Sequence, residues 1–160
     1  GRFSDRQREY AGNLRSRVYT PQLVVNGQTE KIGSRRQETE SAVKSALQKN
    51  QAQALSFEYD QTTTQVTVQY QLEGNLPANA TIVGVIAQKD ASSSVKRGEN
   101  HGRELKHVNV VRAFEQRPLK KPNGQLQISV PSDASDLSIV LFVQEGAIGE
   151  ILAVAKADLG

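Results

Sequence analysis

One stretch near the N-terminus, Val18-Tyr19-Thr20-Pro21-Gln22-Leu23-Val24-Val25-Asn26-Gly27, constrains the fold of this 160-residue chain more than any other. Pro21 has a fixed φ and no backbone N–H, so a helix does not run through it, and the residue before it is biased to extended backbone. The apolar run Leu23-Val24-Val25 reads as a short buried strand. Asn26-Gly27 is the signature of a type I′ turn, whose two central residues both need positive φ. Thr29 to Ile32 is then the returning strand of a hairpin. Helical patterns flank it. Residues 4 to 16 place Ser4 at a cap with Gln7 three residues on, and Tyr10 and Leu14 four apart on one face. A second helix is expected from Ser34 to about Lys49, with Val43, Ala46 and Leu47 as its apolar stripe.

From Ala54 onward the period switches to two. Phe57 and Tyr59, then Val66, Val68, Tyr70 and Leu72, then Ile82, Val83, Val85 and Ala87 mark three strands. Four more centre on Val108 to Ala113, Leu126 to Val130, Ser138 to Val143 and Ile151 to Ala155. Seven strands with turns every ten or so residues argue for an antiparallel sandwich. The boundary between the two parts is expected near Asn50 to Gln53. Ala91-Ser92-Ser93-Ser94 reads as a loop and Gly146-Ala147-Ile148-Gly149 as a hairpin turn. The Asn79-Ala80-Thr81 sequon has meaning only in a source that glycosylates.

Several separated motifs in order carry a resemblance: Phe3-Ser4-Asp5-Arg6-Gln7-Arg8-Glu9-Tyr10-Ala11, the Val18 to Gly27 run, Gly33-Ser34-Arg35, Glu99-Asn100-His101-Gly102-Arg103-Glu104-Leu105 and Asn109-Val110-Val111-Arg112. Together they resemble a bacterial family of secreted thioredoxin-like proteins catalogued as domain of unknown function 1223. The resemblance implies a secreted or periplasmic location and a cis Thr20-Pro21 peptide at the start of a strand. It also implies an α+β fold class: residues 1–50 as the C-terminal half of a thioredoxin-like domain, a partial helix-hairpin-helix portion, followed by an antiparallel β-sandwich over residues 54–160. Members begin with a strand, a Cys-x-x-Cys turn and a helix that have no counterpart here. With no methionine either, the chain is expected to be a processed or trimmed product.

Composition narrows the chemistry. Without cysteine there are no disulfides, no thiolate metal sites and no dithiol exchange. The longest apolar runs, such as Ile139 to Val143, are too short to span a bilayer. The formal charge of +3 is uneven, with eight cations against three anions over residues 1–36. Those arginines spread around a helix with few aromatics between them, the pattern of a solvated face and not of a nucleic-acid surface. His101 and His107, near Glu99 and Glu104, are six apart, which suits metal ligation on neither a helix nor a strand, and Gly102 between them argues for a loop. Neither a Gly-rich phosphate loop nor a Gly-x-Ser-x-Gly elbow is present. No catalytic residue, metal or cofactor is therefore assigned.

The candidate binding residues are Tyr19, Thr20, Pro21, Arg103, Asn109 and Arg112. The first three would form an edge on which an extended peptide lies by backbone pairing, or would serve only to start the strand. The resemblance singles out the other three. In a regular strand Val108, Val110 and Arg112 face one way and Asn109, Val111 and Ala113 the other, so Arg112 is expected to be paired with a carboxylate or a backbone carbonyl, as a structural pair or as part of a site. The leading function is a non-catalytic portion that binds or positions a protein or peptide partner. The competing one is part of a thiol-disulfide oxidoreductase whose cysteines lie in an N-terminal segment missing from this chain. An open edge on the Leu23 to Ile32 hairpin would lead to a homodimer or to association with a cleaved N-terminal piece. Lacking any thiol, this chain should not accelerate insulin reduction by dithiothreitol above the protein-free rate, and a measurable acceleration would contradict this reading of its chemistry.

Overall fold

Residues 65 to 73 show how the sequence builds the core. In the strand Gln65–Glu73, Val66, Val68, Tyr70 and Leu72 are buried, while Gln69, Gln71 and Glu73 are exposed, the alternation of a sheet with one wet face. The computed structural model describes residues 1–49, 53–94, 97 and 101–160. Among them the order is α1 (Arg2–Asn13), β1 (Gln22–Val25), β2 (Thr29–Ile32), α2 (Arg36–Leu47), β3 (Ala54–Gln61), β4 (Gln65–Glu73), β5 (Ala80–Ser94), β6 (Glu104–Pro118), β7 (Asn123–Ser129), β8 (Leu137–Glu145) and β9 (Ile151–Asp158).

Two antiparallel sheets, ordered β3-β4-β7 and β6-β5-β8-β9, face each other across one core. Val66, Val68 and Ile128 from the first meet Ile82, Ile139 and Leu141 from the second, all with no exposed surface. Their approach is tightest at Gly84 on β5, where a Cβ would stand 2.5 Å from Ile128 Cδ1 and 2.7 Å from Leu126 Cδ2. A clasp closes one end of the larger sheet: Lys89 Nζ lies 3.0 Å from Asp136 Oδ1 and 3.4 Å from Asp158 Oδ2. The hydrogen bond to Asp136 holds the Lys89 ammonium above the ordinary lysine range. Beyond Lys89, β5 pairs among the described residues with β6 alone, so Asp90–Ser94 and Glu104–Val108 run out as a two-stranded ribbon.

Three corrections to the sequence reading follow. Among the described residues the chain is mostly β, with two 12-residue helices, and the expected thioredoxin-like helix-hairpin-helix portion is not formed. Helix α1 packs on the larger sheet instead: the Phe3 and Phe114 rings lie 5.6 Å apart, Arg6 stands over the Phe114 ring, and Arg6 and Tyr10 both bond Gln144 of β8. The hairpin β1–β2 meets the β8–β9 turn, with Ile151 N donating to Asn26 O at 3.0 Å. Order of elements was therefore a poor guide to their partners. Secondly, neither proposed cap is used. Helix α1 starts at Arg2 and α2 at Arg36, both without a side-chain cap, and Gln7 reaches instead to the Tyr19 carbonyl and the Gln22 side chain. Thirdly, Ser92, Ser93 and Ser94 belong to β5, and His107 lies on β6, bonded to Ser93 Oγ at 2.8 Å, while His101 sits in a turn. Glu99, Asn100 and most of the expected boundary at Asn50 to Gln53 fall outside the described residues.

The space above Gly84 is filled by two core side chains, so Gly84→Val should overpack the sandwich. A loss of about 2 kcal/mol is expected, read as a lowered urea midpoint.

Candidate functional site

The hairpin is entered as the sequence requires. Thr20-Pro21 is a cis peptide, β1 begins at the next residue, and Asn26 and Gly27 have φ of 52° and 72°, as a type I′ turn needs. Thr20 and Pro21 are exposed, and Tyr19 is half-buried with its hydroxyl bonded to Glu30. Two backbone acceptors of this segment are already occupied: Pro21 O accepts from Gly33 N at 2.8 Å, and Tyr19 O from Gln7 Nε2 at 3.4 Å.

Arg103, Asn109 and Arg112 lie elsewhere. Arg103 is exposed just before β6, at the far end of the ribbon, where Glu104 pairs with Ser94. The opposite end of β5, Ala80, pairs with Glu145 beside the turn that holds Gly27. Fourteen residues of strand separate the two ends, about 45 Å at ~3.3 Å per residue. A hairpin with four-residue strands does not bridge that span, so the six residues form no single site.

Arg112 is paired, for a reason other than the one read from alternation. Ile86 pairs with Ala113 and Ala87 with Val111, leaving Arg112 as the extra residue of a β-bulge. Val111 and Ala113 therefore fall on opposite faces, with Ala113 against the core and Val111 41% exposed, and Val108 is 71% exposed on the ribbon. From the bulge, Arg112 Nη1 donates to Gln88 Oε1 at 2.8 Å and Nη2 to Asp133 Oδ2 at 2.7 Å. Asp133 is largely in solvent, which makes this a surface tether of the β7–β8 loop. Asn109, with φ of 52°, is a second irregular point of β6.

A concavity beside the hairpin lies between β1, β2 and α2, about 510 Å³ in volume, with Val25, Thr29, Lys31, Glu38, Ala42 and Ala46 among its walls. Helix α2 turns its small residues Ala42 and Ala46 to this groove and has no buried residue. Val43 and Leu47, expected to pack inward, are 39% and 80% exposed. Of the stripe expected on α2, Ala46 does line the groove, whereas Ala42 was missed and the large residues Val43 and Leu47 were assigned to the packed side. The alanines at 42 and 46, four apart, were the available signal, since small side chains permit close approach of a helix to a hairpin.

The model of the family described as "Protein of unknown function (DUF1223)" matches residues 1–144. No curated protein matches the chain. Among solved structures, protein AGR_C_4864 from Agrobacterium tumefaciens superposes with a TM-score of 0.63 at 14% identity, over 96% of this chain and 68% of that one. A β-glucuronidase from Ruminococcus gnavus gives a TM-score of 0.33 at 14% identity, over 68% of this chain and 16% of the enzyme, too slight a likeness to bear on the fold. The first similarity supports the architecture described above.

Because its pair is largely solvated, Arg112→Ala should cost about 1 kcal/mol or less by urea denaturation, well below the loss from breaking a buried pair. A loss of several kcal/mol would show that the guanidinium holds more than the β7–β8 loop.

Proposed function

We propose, for a chain that belongs to the DUF1223 family of proteins of unknown function, that it is the non-catalytic, partner-binding portion of a secreted or periplasmic protein. The outward face of helix α2 takes up a segment of a protein partner, from another protein or from a second copy. The observation that carries this reading is the exposure of Val43 and Leu47, four apart on the face of α2 turned away from the groove. Large apolar side chains left in water gain free energy when a partner covers them, roughly 25 cal/mol per Å² of apolar area. With no thiol, this chain brings no dithiol chemistry of its own to the surface.

Two measurements test the reading. Random-peptide display against the folded chain should enrich sequences with apolar anchors, and sedimentation over a range of concentrations should show whether a second copy competes for the same surface. In the Val43→Glu/Leu47→Glu variant, affinity for enriched peptides, or for the second copy, should fall at least tenfold, about 1.4 kcal/mol. Neither enrichment nor association, or binding that the double variant leaves intact, would rule this surface out.

A further inference from the structure

The outer face of the β3-β4-β7 sheet has a composition that a merely solvated face does not require. Register places Ser56, Gln71 and Asn123 in one row across the three strands, and Glu58, Gln69 and Gln125 in the next. All six are exposed, and they line a shallow depression of about 830 Å³. A third row, Asp60, Thr67 and Gln127, continues the pattern. No lysine or arginine stands in any of the three rows, although the chain contains 20. Exposed sheet faces ordinarily mix charges of both signs.

We propose that this face binds a neutral, polyhydroxylated ligand, a stretch of glycan chain lying across the strands. The argument is one of hydrogen-bonding complementarity. A sugar hydroxyl both donates and accepts, and the primary amide of Gln or Asn is the side chain that does both from adjacent atoms, while a carboxylate accepts only. Amides supply four of the six positions in the depression, and one carboxylate and one hydroxyl supply the rest. Among the described residues, Gln71 alone of the six bonds to protein, donating to the Leu72 carbonyl at 3.3 Å, so the other groups stay available. Paired strands hold these groups on a fixed grid, ~4.8 Å apart between strands and ~6.7 Å along each strand, which limits the entropy lost on binding. The two acids, Glu58 and Asp60, both on β3, act against an anionic polymer, and the absence of cations removes the usual means of binding one. This face is distinct from the outward face of α2, so the two readings fail independently.

Affinity electrophoresis of the chain in gels containing xyloglucan, galactomannan or mixed-linkage glucan, with alginate as the anionic control, tests the proposal. At least one neutral polymer should retard the protein, and alginate should not. Gln69→Ala/Gln125→Ala should weaken the interaction about tenfold or more, as expected when two hydrogen bonds of ~1 kcal/mol each are lost. Asn123→Ala should weaken it by a smaller factor in the same direction. Both variants should keep the wild-type urea midpoint, and Val43→Glu/Leu47→Glu should bind the polymer normally. Three results would overturn the proposal: no retardation by any neutral polymer, retardation by alginate as strong as by the neutral polymers, or unchanged binding in the two amide variants. Retardation that light scattering traces to self-association through the amide rows would also overturn it, because the face would then be an interface between copies.

Discussion

The buried amide of Gln144 is the point on which the joining of the N-terminal segment to the sandwich depends. Its side chain has no exposed surface, and it makes three strong hydrogen bonds: Oε1 accepts from Arg6 Nη2 at 2.8 Å, and Nε2 donates to the Tyr10 hydroxyl at 2.6 Å and to Gly149 O at 2.8 Å. Two of these bonds fix helix α1 on β8. The third fixes the β8–β9 turn, whose Gly149 lies so close to Gly27 that a Cβ there would stand 1.9 Å from the Gly149 oxygen. A buried amide deprived of one partner retains its desolvation cost of about 1–3 kcal/mol, so helix, turn and hairpin share one set of polar contacts. Arg6 widens that set by reaching Gln116 at 2.8 Å and standing 5.2 Å from the Tyr10 ring centroid.

Local chemistry was legible in the sequence where one residue decides the geometry. Pro21 and Asn26-Gly27 placed a hairpin, and alternation in Gln65–Glu73 placed a strand and the side that is buried. The signal failed where structure depends on distant partners. Helix α1 carries Phe3, Tyr10 and Ala11, enough to identify an apolar face but not to say that Phe114 and Gln144, more than a hundred residues away, receive it. Reading the helix, hairpin and helix as part of a familiar fold filled that gap wrongly. In β6 the bulge at Arg112 broke the period, and a period-two reading cannot anticipate an inserted residue. Tyr19, Thr20 and Pro21 stand at the start of the hairpin, while of the stripe expected on α2 Val43 and Leu47 face solvent and Ala46 lines the groove. The amide rows of the smaller sheet were visible only once register had aligned three strands that are far apart in the chain.

The molecule separates its polar chemistry by place. Basic residues concentrate in the first 36 positions, where Arg2 and Arg6 stack on Phe114 and bond to the sandwich. Some of the positive charge that composition assigns to the N-terminus is thus spent within the protein. The three rows on the outer face of the β3-β4-β7 sheet have amides and two acids, and the outward face of α2 has Val43 and Leu47. Surfaces so different in chemistry are suited to different ligands, and a single sandwich holds both in fixed relation to the strands that carry them.

Helix α2 contacts chiefly β1 and β2 and buries no residue, so little apolar free energy opposes its local opening. Its amide protons should exchange from openings that leave the sandwich folded, in contrast with those of β5 and β8. A helix held this loosely can change its tilt, or unwind a terminal turn, without disturbing Gln144 or the core. The same scaffold can then present more than one surface shape, and the ordering of α2 becomes part of the free energy of whatever closes over it.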